Sequence, residues 1–198
     1  GDLDKVVTVE LADTQCAPVR IGLKPGEQYT RRNLLTALLV KSSNDIAQAL
    51  ARDCAGSVEA FAAKMNEKVT QLGLQNSLFV NPHGLPDVKK EQYSTARDLS
   101  LIAKIVDKVP DIRAMIRQKS FKFEKGGKDP VVLENTNRVL RTNAYCDGMK
   151  TGFTEAAGYC LVASGEKNGK RRIVVVLNDT SASVWKDADA LLDWALKA

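Results

Sequence analysis

Two short strings carry side chains able to bind a polar ligand and move protons. Ser42-Ser43-Asn44 places a hydroxyl and a carboxamide two residues apart. The hydroxyl can both give and take a proton, and the carboxamide can donate through nitrogen while accepting through oxygen. Lys150-Thr151-Gly152 joins a cation to a hydroxyl and to a residue with no side chain. Either string alone is weak, because such residues also make ordinary caps and turns. His83 is the one histidine and so the one imidazole base, but Asn81-Pro82-His83-Gly84-Leu85-Pro86-Asp87 is a rigid loop by composition, which favours a structural role. Cys16, Cys54, Cys146 and Cys160 form no CxxC pair, and with a single histidine they do not suggest a zinc set. They allow three disulfide connectivities, and free thiols fit equally well.

The elements around these strings follow from periodicity and punctuation. Residues 5–9 read as a short strand and residues 24–27 as a turn. Thr30 can cap a helix whose apolar face includes Leu34, Leu35, Leu38 and Leu39, and that helix runs into the polar string at 42–45. A second helix follows at once and stops at Gly56. A third starts at Ser57, keeps Val58, Phe61, Ala62, Met65, Val69 and Leu72 on one face, and closes at Gly73. Thr95-Ala96-Arg97-Asp98 is a capping box for a helix that Pro110 is expected to end. Strands follow from about residue 119: Ser120-Phe121-Lys122-Phe123 alternates, and Gly126-Gly127 can turn the chain. Strands at 159–164 and 171–177 are joined by the hairpin signal Asn168-Gly169. A last helix carries Ala188, Leu191, Leu192, Trp194 and Ala195. Helices first, antiparallel strands late and a closing helix make an α+β fold, with residues 1–198 counted as a single domain.

Composition narrows the function classes. A hydrophobic fraction of 44% and a charged fraction of 27% are those of an ordinary globular chain, and no apolar run is long enough to span a bilayer. Net charge is +5, yet the basic residues are scattered and aromatics are sparse at 6%. A nucleic-acid surface would interleave the two, so nucleic acid is not an expected partner. No signal peptide is visible at the start, which leaves open an export signal upstream.

Together the strings identify a family. Ser42-Ser43-Asn44 within Leu38 to Ala47 resembles the S-x-N helix junction of serine D-alanyl-D-alanine carboxypeptidases, the low-molecular-mass penicillin-binding proteins. Asn81-Pro82-His83-Gly84-Leu85, followed by Tyr93-Ser94-Thr95-Ala96-Arg97-Asp98-Leu99, resembles a second signature of that family. Asn135-Thr136-Asn137, then Asp147-Gly148-Met149-Lys150-Thr151-Gly152-Phe153-Thr154 and Ala157-Gly158-Tyr159, resemble a third. The resemblance implies a transpeptidase/β-lactamase-like fold, an antiparallel sheet packed between helices. It implies serine acyl-enzyme chemistry on peptidoglycan stem peptides ending in D-Ala-D-Ala, inhibition by β-lactams, and no cofactor or metal. It places the protein outside the cytoplasm, in the periplasm or on the outer face of the membrane. Membrane-surface association would come only through segments not in this chain.

The implied catalytic residues are Ser42, relaying a proton toward the leaving amine, Asn44, bonding the substrate amide and a neighbouring lysine, and Lys150, facing the substrate carboxylate. Thr151, Gly152, Phe153 and Thr154 are the implied substrate-binding residues. Phe153 stands where some relatives carry a polar residue. Residues 178–183 contain no arginine to help bind the carboxylate.

The family's nucleophile is the serine of an S-x-x-K motif lying upstream of both strings. The two literal matches, Ser164 to Lys167 and Ser183 to Lys186, fall after Lys150, in the wrong order. The motif and the N-terminal strands are therefore expected upstream of Gly1, which would leave a sheet edge uncovered. A non-catalytic scaffold that binds cell-wall peptide or β-lactam is the alternative reading. A class A β-lactamase relative is a third, disfavoured by the Asn-Pro-His-Gly-Leu and Tyr-Ser-Thr-Ala-Arg-Asp strings.

Overall fold

Thr30 and Ser42 mark the two ends of the first long helix, and each does so through its own chemistry. The Thr30 hydroxyl accepts from the Asn33 N–H at 3.1 Å, and Ser42 turns left-handed at φ 64°. The computed structural model describes residues 1–126 and 129–198, which form two units: Gly1–Tyr93 with Ser120–Glu134, and Ser94–Lys119 with Asn135–Ala198. Gly126 has a positive φ of 55°, while the second glycine of the expected turn, Gly127, lies outside the described residues.

In the first unit, β1 (Val6–Thr8) pairs antiparallel with β2 (Gln28–Thr30), with the short α1 (Leu11–Thr14) between them. Then come α2 (Arg31–Lys41), α3 (Asn44–Ala55) and α4 (Val58–Gln71); β3 (Ser120–Phe123) and β4 (Val131–Glu134) add an antiparallel pair. Their core joins Val7, Val9, Tyr29, Leu34, Ala37, Val40, Ile46, Phe123 and Leu133. The rings of Tyr29 and Phe123 stack at 5.1 Å. The expected leucine face of α2 is thus rotated. Leu34, Ala37 and Val40 are buried at a spacing of three, and Leu35 and Leu39 are only partly covered. Thr36 joins the buried side because its hydroxyl donates to the Arg32 carbonyl at 2.7 Å.

Asp45 fastens this unit beneath the Ser42 junction. Its buried carboxylate accepts from the backbone N–H groups of Gly22 at 2.9 Å, Leu23 at 3.1 Å and Ile46 at 3.0 Å. Asp45→Ala therefore takes the acceptor from all of these donors at once, those of Leu23 and Ile46 buried. It is expected to cost about 2–4 kcal/mol, read as a fall in the urea midpoint with an unchanged slope.

In the second unit, α5 (Ala96–Val106) starts at Thr95, whose hydroxyl accepts from the Asp98 N–H at 3.1 Å. Pro110 does not end that helix, as expected from sequence. It opens a further one, α6 (Pro110–Ile116), where the missing N–H of proline costs nothing. After α7 (Val139–Thr142) come β5 (Cys146–Thr154), β6 (Gly158–Lys167), β7 (Lys170–Asp179) and α8 (Val184–Lys197). The three strands are antiparallel in the order β5-β6-β7. Asn168 and Gly169, at φ 51° and 74°, make the expected tight turn between the last two. Val184, Ala188, Leu192, Ala195 and Leu196 of α8 cover one face of the sheet, against Leu161, Ala163 and Val174. On the other face Ile116 of α6 closes on Gly148 of β5. The sheet therefore lies between helices, as the resemblance implied. Leu191 and Trp194, expected on the same helix, point outward, Trp194 with 66% of its surface exposed. Among the described residues no helix is long and apolar enough to cross a membrane.

Candidate active site

The S-x-N string sits where α2 gives way to α3. Ser42 closes α2 with its N–H on the Leu38 carbonyl at 2.8 Å, and Asn44 opens α3 with its N–H on the Val19 carbonyl at 2.8 Å. A left-handed non-glycine residue is disfavoured by about 1–2 kcal/mol, so Ser42 occupies a conformation that glycine would take more readily. Ser43 is fully buried and faces inward, with its hydroxyl unpaired among the described residues. Asn44 is buried, and its Nδ2 donates to the Ala17 carbonyl at 3.0 Å, which fixes the plane of the carboxamide.

Lys150 to Thr154 run along β5, the outer strand of its sheet among the described residues. Lys150 Nζ donates to the Thr151 carbonyl at 2.8 Å. The side chain is partly covered as a whole, with the ammonium at its deep end, and burial pushes its pKa down to about 8. At neutral pH it is still mostly a cation. Thr151 Oγ1 lies 2.7 Å from Thr136 Oγ1. Apart from Gly152 and its two chain neighbours, none of the described residues comes within 4 Å of the point where a Cβ on Gly152 would stand, so the backbone there is open to an incoming chain. Phe153 is half-exposed and packs on Tyr159, its cross-strand partner, with ring centroids 4.4 Å apart. Thr154 Oγ1 accepts from the Ala157 N–H at 3.0 Å, closing the turn into β6.

The Asn135-Thr136-Asn137 string explains itself as a bracket for this strand. Asn137 is fully buried: its Nδ2 donates to the Gly148 carbonyl at 2.9 Å, and its Oδ1 accepts from the Val139 N–H at 3.0 Å. Asn135 Oδ1 accepts from the Asn137 N–H at 2.9 Å and its Nδ2 donates to the Gln118 carbonyl at 2.8 Å. Thr136, between them, is thereby held against Thr151. It was absent from the expected site residues, although the flanking asparagines, which often shape loops by side-chain bonds to backbone, were visible in the sequence.

The remaining candidates have other occupations. Ser164 lies inside β6, which runs on past the end of the strand expected over 159–164; it is fully buried and donates to Asp147 Oδ1 at 2.8 Å. Ser183 precedes α8 with its hydroxyl on Asp179 and 2.6 Å from Thr180 Oγ1. Each hydroxyl is thus tied to a carboxylate that holds its own strand or turn in place. His83 Nδ1 accepts from the Leu85 N–H at 3.2 Å, and Asn81 spans the same loop through Gly84 and Leu85 at 2.7 and 2.8 Å. Burial holds the His83 pKa below its ordinary value, consistent with a neutral ring shaping a loop. All four cysteines are free thiols, and burial raises the pKa of Cys16 and Cys146, which disfavours their thiolates.

Comparison with known proteins converges on one group. The D-alanyl-D-alanine carboxypeptidase profile, peptidase S11, matches residues 4–181. The D-alanyl-D-alanine carboxypeptidase DacF of Bacillus subtilis is 37% identical over 196 residues, covering 97% of this chain and 49% of its own length. DacC of Escherichia coli is 39% identical over 178 residues, covering 88% of this chain and 43% of its own. The chain thus spans about half the length of these curated relatives. The crystal structure of a D-alanyl-D-alanine carboxypeptidase from Mycobacterium tuberculosis superimposes with a TM-score of 0.92 at 30% identity, over all of this chain and 75% of that one.

Proposed function

Because this chain belongs to the D-alanyl-D-alanine carboxypeptidase family, peptidase S11, we propose that the protein it forms part of hydrolyses peptidoglycan stem peptides ending in D-Ala-D-Ala, and that residues 1–198 are part of its catalytic domain. The observation that carries the reading is Lys150: a cation at the centre of an outer strand, beside open backbone at Gly152. A peptide laid along β5 can pair with that edge by main-chain hydrogen bonds. Its terminal carboxylate then meets the Lys150 ammonium, while Thr151, Phe153 and Thr154 border the strand beyond.

In this reading the nucleophile is the serine of an S-x-x-K motif outside the present sequence, since the two literal matches within it serve other ends. That serine attacks the carbonyl carbon of the penultimate D-alanine, the C–N bond breaks, and the departing amine takes a proton relayed through Ser42. Asn44 bonds the acyl amide of the substrate. Water then attacks the ester, releasing the shortened peptide and restoring the serine. β-Lactams mimic the substrate up to the ester stage and are expected to stop there. The work is placed outside the cytoplasm, where the polymer lies.

The test uses the protein with its upstream segment present. Incubation with benzylpenicillin should add one drug mass, and a D-Ala-D-Ala peptide should release D-alanine. A folded protein that does neither overturns the proposal. Binding of the peptide without an adduct or release would select the non-catalytic scaffold instead.

A further inference from the structure

Cys146 and Lys150 are four residues apart on one strand, so in a regular ladder their side chains would share a face. They do not. Cys146 packs with the α8 cluster, and so do Ala163 and Leu161, the cross-strand partners of Met149 and Thr151. Cross-strand partners lie on one face, so Met149 and Thr151 turn toward α8. Gly148, Lys150 and Gly152 therefore take the opposite face, where Ile116 meets Gly148. The parity changes at one place. Cys146 pairs with Gly165 and Gly148 with Ser164, so Asp147 is the extra residue of a β-bulge.

Asp147 is held there by side chains from both other strands. Its Oδ1 accepts from Ser164 at 2.8 Å and from Arg171 Nη2 at 3.1 Å, and its Oδ2 accepts from Arg171 Nη1 at 2.7 Å. Arg171 is itself forked onto the carboxylate of Asp107 at the end of α5. Burial alone would raise the Asp147 pKa, but Arg171 and Ser164 together hold it below its ordinary value, so the clamp is charged at any working pH. There is no slack beneath it: a Cβ on Gly148 would stand 2.9 Å from Ser164 Oγ.

From this geometry we propose that Asp147 is a positioning residue, whose clamp by Ser164 and Arg171 fixes the bulge that turns Lys150 onto its face of the sheet. Without the extra residue the ladder slips by one, and every side chain from 148 onward changes face. The inference rests on the reading of Lys150 as the carboxylate-binding cation and adds the device that aims it.

In the protein with its upstream segment, kcat/KM is measured for a D-Ala-D-Ala peptide and for the same peptide with a C-terminal carboxamide, in wild type, Asp147→Asn, Asp107→Asn and Lys150→Met. Asp147→Asn leaves Arg171 paired with Asp107, so the fold should persist with a melting temperature within a few degrees. The carboxylate substrate is expected to lose at least tenfold in kcat/KM, and the preference over the carboxamide to collapse as it does in Lys150→Met. Asp107→Asn, which breaks the other half of the clamp, should lower the melting temperature and keep the preference. A merely structural Asp147 would depress both substrates equally, and that result, or an unchanged preference, overturns the proposal. If Lys150→Met itself keeps the preference, the reading of Lys150 falls and takes this proposal with it. Should Asp147→Asn not fold, Ser164→Ala, which removes only the hydroxyl tie, is judged by the same loss of preference.

Discussion

Lys150→Met is expected to make the protein more stable at neutral pH and to reduce D-Ala-D-Ala hydrolysis at least a hundredfold. Both effects come from the same buried charge. In the unfolded chain a lysine titrates near its ordinary value of 10.5, whereas in the folded protein burial brings Lys150 down to about 8. The folded state therefore binds this proton less tightly than the unfolded one. Below pH 8 both states are protonated and the full cost of burying the ammonium is present. Between about 8 and 10.5 only the unfolded state holds the proton, so stability rises with pH across that window and levels off above it. A shift of this size corresponds to at most about 3 kcal/mol. Methionine keeps much of the volume and none of the charge. Urea unfolding from pH 6.5 to 10.5 should show a rising midpoint in the wild type and a higher, flatter one in the variant. On the activity side, a role for the cation predicts that kcat/KM for the carboxylate substrate falls as pH passes 8. A variant that stays fully active would remove Lys150 from the site.

Ser42→Gly is expected to show the same opposition by a different route. Ser42 sits at φ 64°, ψ 48°, a conformation that glycine adopts without the clash that Cβ imposes. The backbone gains up to about 1–2 kcal/mol in the folded state, partly offset by the greater freedom of glycine when unfolded. The hydroxyl that would carry the proton to the leaving amine is lost. General acid–base assistance is worth about 10²–10⁴-fold, so acylation by penicillin should slow by at least a hundredfold while the melting temperature holds or rises. Equal acylation rates in variant and wild type would show that the proton takes another path. Such opposite movements of stability and rate are characteristic of residues retained for chemistry at the expense of the fold.

Much of this was legible in the sequence because it depends on local chemistry. Thr30, Ser57 and Thr95 cap helices wherever a hydroxyl precedes an apolar period, and Asn168-Gly169 turns a hairpin because only such residues accept two positive φ angles in succession. The family strings around Ser42, Asn44 and Lys150 were equally visible, and the order of helices and strands by itself indicated the α+β architecture. Pro110 was misread because proline both ends and begins helices, and the choice depends on whether the residues after it find a surface to bury against. Met115 and Ile116 find one.

What only the tertiary structure decided is how those strings are aimed. The leucine-rich face of α2 gave way to Leu34, Ala37 and Val40, since the packed core selects which ridge of a helix it meets. Nothing in the order of residues 146–150 announces a bulge, because pairing register is a property of two strands and of the side chains that clamp them from elsewhere. Ser164 and Arg171, 17 and 24 residues from Asp147, settle it. The sequence by itself determined which groups could take part in the chemistry; long-range packing and a buried charge network determined which face Lys150 presents.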